Sequence, residues 1–184
     1  HLLVDNRKMS KSAGNFYTLR DLLQQGKRPE VIRYFLLSAH YSQKVNFTAE
    51  ALHQAEAGVE KFYSLWQRLT RVKKNSAQAD AEFAKTSAEA RAKFTAELCD
   101  DLNTPRALAV VHEYIRAANA FADAMQDAVA EADADEMTQT LRHFDKVLGL
   151  LDLIPKIGVS GDLQALLDER NAARAAKDFK RADE

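Results

Sequence analysis

Two lysines and two serines stand close together near the start of the chain, in the segment Lys8, Met9, Ser10, Lys11 and Ser12. Lysine ammonium groups are compact positive charges with three donors, and serine hydroxyls add further donors. A glycine two residues later lets the backbone turn. This combination predicts a loop that holds the phosphates of ATP, in which a lysine offsets the charge that develops as a carboxylate attacks the α-phosphorus and pyrophosphate leaves.

A solvated basic surface loop is the alternative for this segment, and composition alone favours it. The ordered string of residues 8–14 is much more specific than its composition and favours the phosphate loop. It resembles the signature loop of class I aminoacyl-tRNA synthetases. The resemblance implies an ATP-binding segment made of Lys8, Met9, Ser10, Lys11 and Ser12. Both lysines are candidate catalytic residues, with Lys11 on the triphosphate and Lys8 shaping the loop, while the serines donate hydrogen bonds.

Four further stretches carry a narrower resemblance, to the cysteinyl-tRNA synthetase family. They are residues 8–23 (KMSKSAGNFYTLRDLL), 28–41 (RPEVIRYFLLSAHY), 100–110 (DDLNTPRALAV) and 169–184 (ERNAARAAKDFKRADE). The resemblance therefore extends over nearly the whole chain. One local departure is Ala13, where the family usually carries leucine, and we expect it to alter the packing under the loop.

The resemblance implies a ligase that attaches cysteine to cysteine tRNA. Cysteine and ATP, the latter with Mg²⁺, form cysteinyl-adenylate, and the cysteinyl group then passes to the terminal ribose of the tRNA. The family also holds zinc, whose ligands lie upstream of the matching segment, so no zinc ligand is assigned here. The His-x-Gly-His motif of the nucleotide-binding half is absent from these 184 residues. We therefore expect a C-terminal piece of a larger cytoplasmic, monomeric enzyme, and we expect this piece alone to be inactive.

Neither metal binding nor a membrane is indicated by the residues themselves. The single Cys99 and five scattered histidines show no zinc spacing, and the sequence predicts no metal site. Cys99 follows apolar residues at the end of a helical pattern, which predicts a small buried side chain. The chain contains no apolar run long enough to span a bilayer.

Charge is nearly balanced overall but is unevenly distributed. Residues 1–75 hold 13 Lys and Arg against 6 Asp and Glu, whereas residues 76–140 hold 5 against 13. This asymmetry is expected if RNA passes over one face of the molecule, and chance asymmetry of a solvated surface is the alternative.

Helical periodicity dominates the sequence and predicts a mainly α fold. Residues 1–47 are expected to form a short β and loop remnant of a catalytic core, with a strand at residues 2–4 and helices that begin near Thr18 and Pro29. Residues 48–157 are expected to form an antiparallel helical bundle, which the resemblance implies is an anticodon-binding domain. Residues 158–184 are expected to be a linker and the start of a C-terminal recognition segment.

The predicted bundle depends on apolar positions that advance by three and four residues. The first such seam consists of Leu52, Ala55, Val59, Phe62, Trp66 and Leu69. Two further seams consist of Leu108, Val111, Ile115, Ala118, Ala122 and Met125, and of Met137, Leu141, Phe144, Leu148 and Leu151. Core packing is favoured over base stacking for Trp66 because it lies on the seam. Thr104 is the predicted cap before Pro105, and residues 75–80 are predicted to be a polar helix connection.

The last predicted helix carries a basic stripe. Arg170, Arg174, Lys177 and Arg181 are spaced by four, three and four residues and therefore share one face. They are candidate contacts to tRNA phosphates, with an ordinary solvated face as the equal alternative.

Two other functions remain open at this point. A mycothiol cysteine ligase resembles this synthetase and forms the same adenylate but delivers cysteine to an amino sugar, and the basic helix disfavours it. A free-standing RNA-binding helical module is the second alternative. Genomic coding upstream of His1 for a nucleotide-binding half separates that module from a synthetase.

Overall fold

Six helices and five short strands follow one another along residues 2–151, the part of the chain that this computed structural model describes. The helices are α1 Leu19–Gln24, α2 Pro29–Leu37, α3 Ala49–Arg71, α4 Ala81–Cys99, α5 Thr104–Ala124 and α6 Glu131–Leu148. The strands are β1 Leu2–Val4, β2 Arg7–Lys8, β3 Val45–Phe47, β4 Lys73–Asn75 and β5 Ala128–Ala130. The prediction of a mainly α fold with a small β portion is confirmed.

A three-stranded sheet in the order β2-β1-β3 holds the first residues in place. β1 and β2 are antiparallel and are joined by Asp5 and Asn6, whose φ angles are 47° and 63°. Asn and Asp tolerate this left-handed conformation better than other side-chain-bearing residues. β1 also pairs in parallel with β3, with Val4 opposite Phe47. The predicted strand at residues 2–4 is therefore confirmed.

The two short helices begin where their sequences predict. Thr18 caps α1 by accepting a hydrogen bond from the Asp21 backbone N–H, and the Asp21 carboxylate accepts one from the Thr18 N–H in return. Pro29 occupies the first turn of α2, where its missing N–H leaves no bond unmade. α2 packs against α3 and buries Val31, Tyr34 and Phe35.

Helices α3 to α6 form the bundle, and successive helices alternate in direction. Phe83 near the start of α4 stacks on Phe121 near the end of α5 at 4.1 Å, so these two helices are antiparallel. Backbones of α5 and α6 lie next to both α3 and α4, and α3 and α4 therefore lie across the bundle from each other. The predicted antiparallel helical bundle is confirmed.

A two-stranded ribbon joins the ends of α3 and α5. β4 pairs in parallel with β5, with Lys74 opposite Val129, and Lys73 donates its backbone N–H to Asp127 O at 2.7 Å. The sequence predicted a polar helix connection at residues 75–80 and gave no sign of a strand at residues 73–75. The strand was missed because an exposed Lys-Lys-Asn segment has no alternating pattern, and its partner strand lies more than fifty residues away.

The predicted seams form the core with a few exceptions. Phe62, Met137, Leu141, Phe144 and Leu148 are almost fully buried. Trp66 is half-buried against the core, whereas Met125 is 39% exposed at the end of α5, so its assignment to the seam was wrong. Leu65 is fully buried although it lies outside the predicted spacing. α3 contacts three helices, α2, α5 and α6, and a single seam does not describe such a helix.

Two local predictions near the turn between α4 and α5 were also wrong. Cys99 is exposed, because as the last residue of α4 it faces away from the bundle. The cap of α5 is Asn103, whose Oδ1 accepts a hydrogen bond from the Arg106 backbone N–H at 3.4 Å, and Thr104 is already helical. Asn and Thr both cap helices well, so the sequence pattern placed the cap of α5 only to within one residue.

Among residues 2–151, no helix has the length and apolarity to cross a membrane.

The structure leaves some predictions untested. The basic stripe of Arg170, Arg174, Lys177 and Arg181 lies outside the described residues, and so does the predicted boundary near residue 157.

Candidate ATP-loop site

The signature loop, residues 8–15, connects strand β2 to the cap of α1. Lys8 ends β2, and residues 11–14 form a turn in which the Gly14 N–H donates to Lys11 O at 3.2 Å. Gly14 has a φ of +68°, which a residue with a side chain adopts only with strain. A methyl group there meets no atom within 4 Å, so conformation rather than space requires the glycine.

Asn15 connects the two sides of the loop through side-chain hydrogen bonds. Its Oδ1 accepts a hydrogen bond from the Ser10 backbone N–H at 2.9 Å, and its Nδ2 donates to Lys8 O at 3.2 Å. One amide side chain therefore binds the backbone on both sides of Met9. The sequence prediction did not include Asn15, although an Asn that follows a turn glycine is a signal for side-chain bonds to the local backbone.

The two serine hydroxyls of the loop face each other. Ser10 Oγ lies 3.4 Å from Ser12 Oγ and also accepts a hydrogen bond from the Ala13 backbone N–H at 3.3 Å. Ser10 therefore stabilises the turn in addition to its predicted contact with phosphate. Ala13 is exposed, so the expected change in packing under the loop is not seen.

Both lysines of the loop are exposed to solvent. Lys11 Nζ lies 5.4 Å from the centre of the Phe16 ring, within the range of a cation–π contact. Among residues 2–151, the ion pairs are formed by other cations, and neither Lys8 nor Lys11 is paired with a carboxylate. The loop can therefore offer two positive charges and two hydroxyls to a polyphosphate.

Aromatic contacts connect the segment just after the loop to β3 and α2. Tyr17, two residues after the loop, lies 5.7 Å from Phe47 of β3, ring centre to ring centre. Phe47 in turn meets Phe35 of α2 edge to face at 5.6 Å. These contacts and the pairing of β1 with β3 attach the loop to α2 and to the start of α3.

The described residues do not fit a metal site. From Leu2 to Leu151, no three His, Cys, Asp or Glu side chains converge where they could hold a metal ion. Zinc sites in proteins use four such ligands or three with an open position. This part of the chain therefore offers no set of side chains that matches a zinc site.

Two basic residues, Arg68 near the end of α3 and Lys74 in β4, form ion pairs with acidic residues of the bundle. Arg68 Nε lies 2.7 Å from Asp127, and Arg68 Nη2 lies 2.6 Å from Asp123. Lys74 Nζ lies 2.7 Å from Asp135. The charge asymmetry seen in the sequence therefore partly cancels across helices, which leaves less free positive charge for RNA than residues 1–75 suggested.

Trp66 has the role that its position on the seam predicts. Its ring packs against the core, and the Arg142 guanidinium carbon lies 5.6 Å from the ring centre. Packing and a cation–π contact account for Trp66, in agreement with the preference for a core role over base stacking.

The loop and the bundle define a class of protein, the class I aminoacyl-tRNA synthetases. The family model for tRNA synthetases class I (C) catalytic domain matches residues 1–57, and the DALR domain matches residues 93–152. Over its whole length the chain is also similar to proteins named cysteine–tRNA ligase. The chain belongs to the cysteinyl-tRNA synthetase family.

Three relatives illustrate the similarity. The cysteine–tRNA ligase of Leptospira interrogans serogroup Icterohaemorrhagiae serovar copenhageni is 39% identical over 187 residues, which cover 100% of this chain and 39% of the relative. The ligase of Protochlamydia amoebophila is 34% identical, with 100% and 38% covered, and that of a Shewanella species is 38% identical, with 99% and 38% covered. The chain thus spans about two fifths of the length of these relatives.

Proposed function

We propose that this chain is the part of a cysteine–tRNA ligase that supplies an ATP-binding loop and a tRNA-binding helical bundle. In the intact enzyme, a carboxylate oxygen of cysteine attacks the α-phosphorus of ATP, which gives cysteinyl-adenylate and releases pyrophosphate. The 3′-terminal ribose of cysteine tRNA then takes the cysteinyl group and AMP leaves. Whole-length similarity to cysteine–tRNA ligases supports this proposal.

The arrangement of residues 8–15 is the observation that carries the first step. Asn15 hydrogen-bonds the loop backbone at Lys8 and Ser10, and the side chains of Lys8, Lys11 and Ser12 are exposed to solvent. Lys11 binds the triphosphate and offsets the charge that builds on the leaving pyrophosphate. Lys8, held by its place in β2 and by Asn15, gives the loop its shape, and Ser10 and Ser12 donate hydrogen bonds to phosphate oxygens.

Partners and ions follow from the same proposal. Magnesium enters with the triphosphate, which supplies oxygen ligands of its own. The zinc of the family has its ligands in other parts of the intact enzyme. A helical domain of the DALR type binds the anticodon region of cysteine tRNA, and the basic stripe of Arg170, Arg174, Lys177 and Arg181 contacts phosphates. We propose a monomeric, cytoplasmic enzyme, inactive when reduced to this chain.

The decisive experiment replaces Lys11 with alanine in the intact enzyme and measures cysteine-dependent ATP–pyrophosphate exchange. We expect the exchange rate to fall by about a hundredfold or more, because a charge that stabilises the transition state is removed. Affinity for cysteine tRNA should change little, since the bundle is untouched. Lys44→Ala is the matched control, because Lys44 is also exposed but lies outside the loop.

Exchange near the wild-type rate in the Lys11 variant would refute the assignment of that residue. A wild-type enzyme that forms adenylate but passes cysteine to an amino sugar rather than to tRNA would identify a mycothiol cysteine ligase instead. The DALR match supports tRNA as the acceptor. An enzyme without exchange that still binds RNA would support the free-standing RNA-binding module.

A further inference from the structure

A partly buried hydrogen bond joins α2, downstream of the signature loop, to α5 in the bundle. The Tyr34 hydroxyl lies 2.5 Å from Nε2 of His112, and the two residues are 78 positions apart in the sequence. Their rings meet edge to face with centres 6.2 Å apart. Tyr34 is 8% exposed and His112 is half-buried, so the phenol side of this bond is shielded from water.

The Tyr34 side chain passes α3 at Gly58 to reach α5. A Cβ atom at Gly58 would lie 2.5 Å from Tyr34 Cζ and 2.7 Å from the Tyr34 hydroxyl oxygen. Such distances are far inside van der Waals contact, and a ring packed at this depth has little room to shift. Gly58 has a helical φ, and glycine is a poor helix former. The passage of the Tyr34 ring therefore explains why a glycine occupies this position.

Burial also fixes the direction of the bond. It raises the pKa of Tyr34 to about 12, so the phenol keeps its proton and donates. Burial lowers the pKa of His112, and the nearby cations Lys61 and Arg116 act in the same direction. The imidazole is therefore neutral near pH 7, and its Nε2 accepts a hydrogen bond from the phenol O–H.

A continuous set of contacts leads from this bond to the signature loop. Phe35, next to Tyr34 in α2, meets Phe47, and Phe47 meets Tyr17 just after the loop. The match to the catalytic domain covers residues 1–57, which include Tyr34, whereas the match to the DALR domain begins at residue 93 and includes His112. The bond thus directly connects the two parts of the chain that the family models separate.

We propose that Tyr34 and His112 are positioning residues that hold the signature loop and the helical bundle in a fixed relation. The consequence is functional: tRNA held by the bundle is aligned with the adenylate held at the loop. This inference rests on the proposed function, because it assumes a tRNA acceptor. Adenylate formation needs only the loop side of the link, whereas transfer to tRNA needs both sides.

The test compares two reactions of the intact enzyme in Tyr34→Phe and Gly58→Ala variants. One reaction is cysteine-dependent ATP–pyrophosphate exchange, and the other is charging of cysteine tRNA. We expect kcat/KM for charging to fall by about fivefold or more, a typical size for coupling between sites, while exchange stays within about twofold of wild type. Tyr114→Phe is the matched control, because the Tyr114 hydroxyl is also buried but bonds Ser87 within the bundle, at 3.1 Å.

Substitutions at His112 provide a rescue test. Gln offers an acceptor for the Tyr34 hydroxyl, whereas Leu offers none, so His112→Gln should charge tRNA better than His112→Leu. Equal charging-to-exchange ratios in wild type, Tyr34→Phe and Gly58→Ala would overturn the inference, and so would the same loss of charging in Tyr114→Phe. A wild-type enzyme that exchanges but does not charge tRNA would instead overturn the proposed acceptor, and the inference with it.

Discussion

At the scale of single residues, the loop depends on a side chain that carries no charge. Asn15 uses both ends of its amide to hold the backbone of Lys8 and Ser10. In the proposed site the lysines and serines bind phosphate, and Asn15 holds the backbone that carries them. Preorganised charge is more effective than charge on a mobile chain because no free energy is spent on ordering it during the reaction.

Asn15→Asp tests this dependence. The new carboxylate can still accept from the Ser10 N–H, but it faces Lys8 O with an acceptor in place of a donor. Loss of one hydrogen bond and the added repulsion should raise KM for ATP by about tenfold in the intact enzyme, measured by pyrophosphate exchange. Asn6→Asp is the control, because Asn6 is an exposed neighbour whose amide pairs with Asn46 outside the loop. An unchanged KM for ATP would mean that the loop keeps its shape without Asn15.

Protonation of His112 is a second prediction at this scale. Its pKa is lowered from 6.5 in the folded chain, mainly by burial, so the folded state favours the neutral imidazole. The resulting stability is complete above pH 6.5 and is lost as the pH falls from 6.5 towards the folded pKa. The melting temperature of this chain should therefore drop more between pH 7 and pH 5 in wild type than in His112→Gln. Parallel curves for the two proteins would contradict this assignment.

At the scale of elements, the ends of α3 and α5 are joined by a single arginine. Arg68 donates to Asp123, to Asp127 and to the side chain of Asn119 at 2.9 Å. Hydrogen bonding to Asp127 is the largest cause of a raised pKa at Arg68. The same helix ends lead into the β4–β5 ribbon, so the arginine and the ribbon stabilise one end of the bundle together.

Replacing Arg68 with Gln should lower the free energy of unfolding by about 1 kcal/mol, because its partner carboxylates are more than half exposed and solvent screens them. Urea denaturation of this chain measures the difference, which should shrink in 1 M salt. Arg71→Gln is the control, since Arg71 is exposed on the next turn of α3. A salt-independent loss would indicate packing of the Arg68 stem rather than charge.

At the scale of the whole molecule, positive charge is not simply concentrated on one side. Internal pairs such as Arg68 with Asp123 and Lys74 with Asp135 neutralise part of the basic surplus of residues 1–75. The net charge of the chain is −1. We propose that contact with tRNA depends on cations outside these pairs, among them the predicted stripe of residues 170–181.

The corresponding prediction concerns binding of cysteine tRNA by this chain. Fluorescence anisotropy of labelled tRNA should show affinity that falls steeply with salt, because bound cations release counterions from phosphates. Changing Arg170, Arg174, Lys177 and Arg181 to Gln should weaken binding and reduce the salt slope by about one for each phosphate that is no longer neutralised. Lys85→Gln is the control, because Lys85 is an exposed cation within the acidic segment 76–140. A quadruple variant that binds like wild type would leave the stripe as an ordinary solvated face.

Short-range patterns in the sequence determined much of this protein. The order of residues 8–14 predicted an ATP loop, which stays a prediction, and the period of three and four identified the helices whose buried faces build the bundle. Thr18 and Pro29 marked helix starts, because capping and the missing proline donor act within a single turn. Each of these signals depends on residues that are neighbours in the sequence, and such signals can be read without a structure.

Only the tertiary structure decided how these parts meet. The β4–β5 ribbon, the exposure of Cys99 and the bond from Tyr34 to His112 depend on residues far apart in the sequence. Gly58 is the clearest example, because in the sequence it is a poor helix former within a helix, and in the fold it is the gap through which Tyr34 reaches α5. Such contacts arise when whole faces pack, and no periodicity encodes the partner that each face finds.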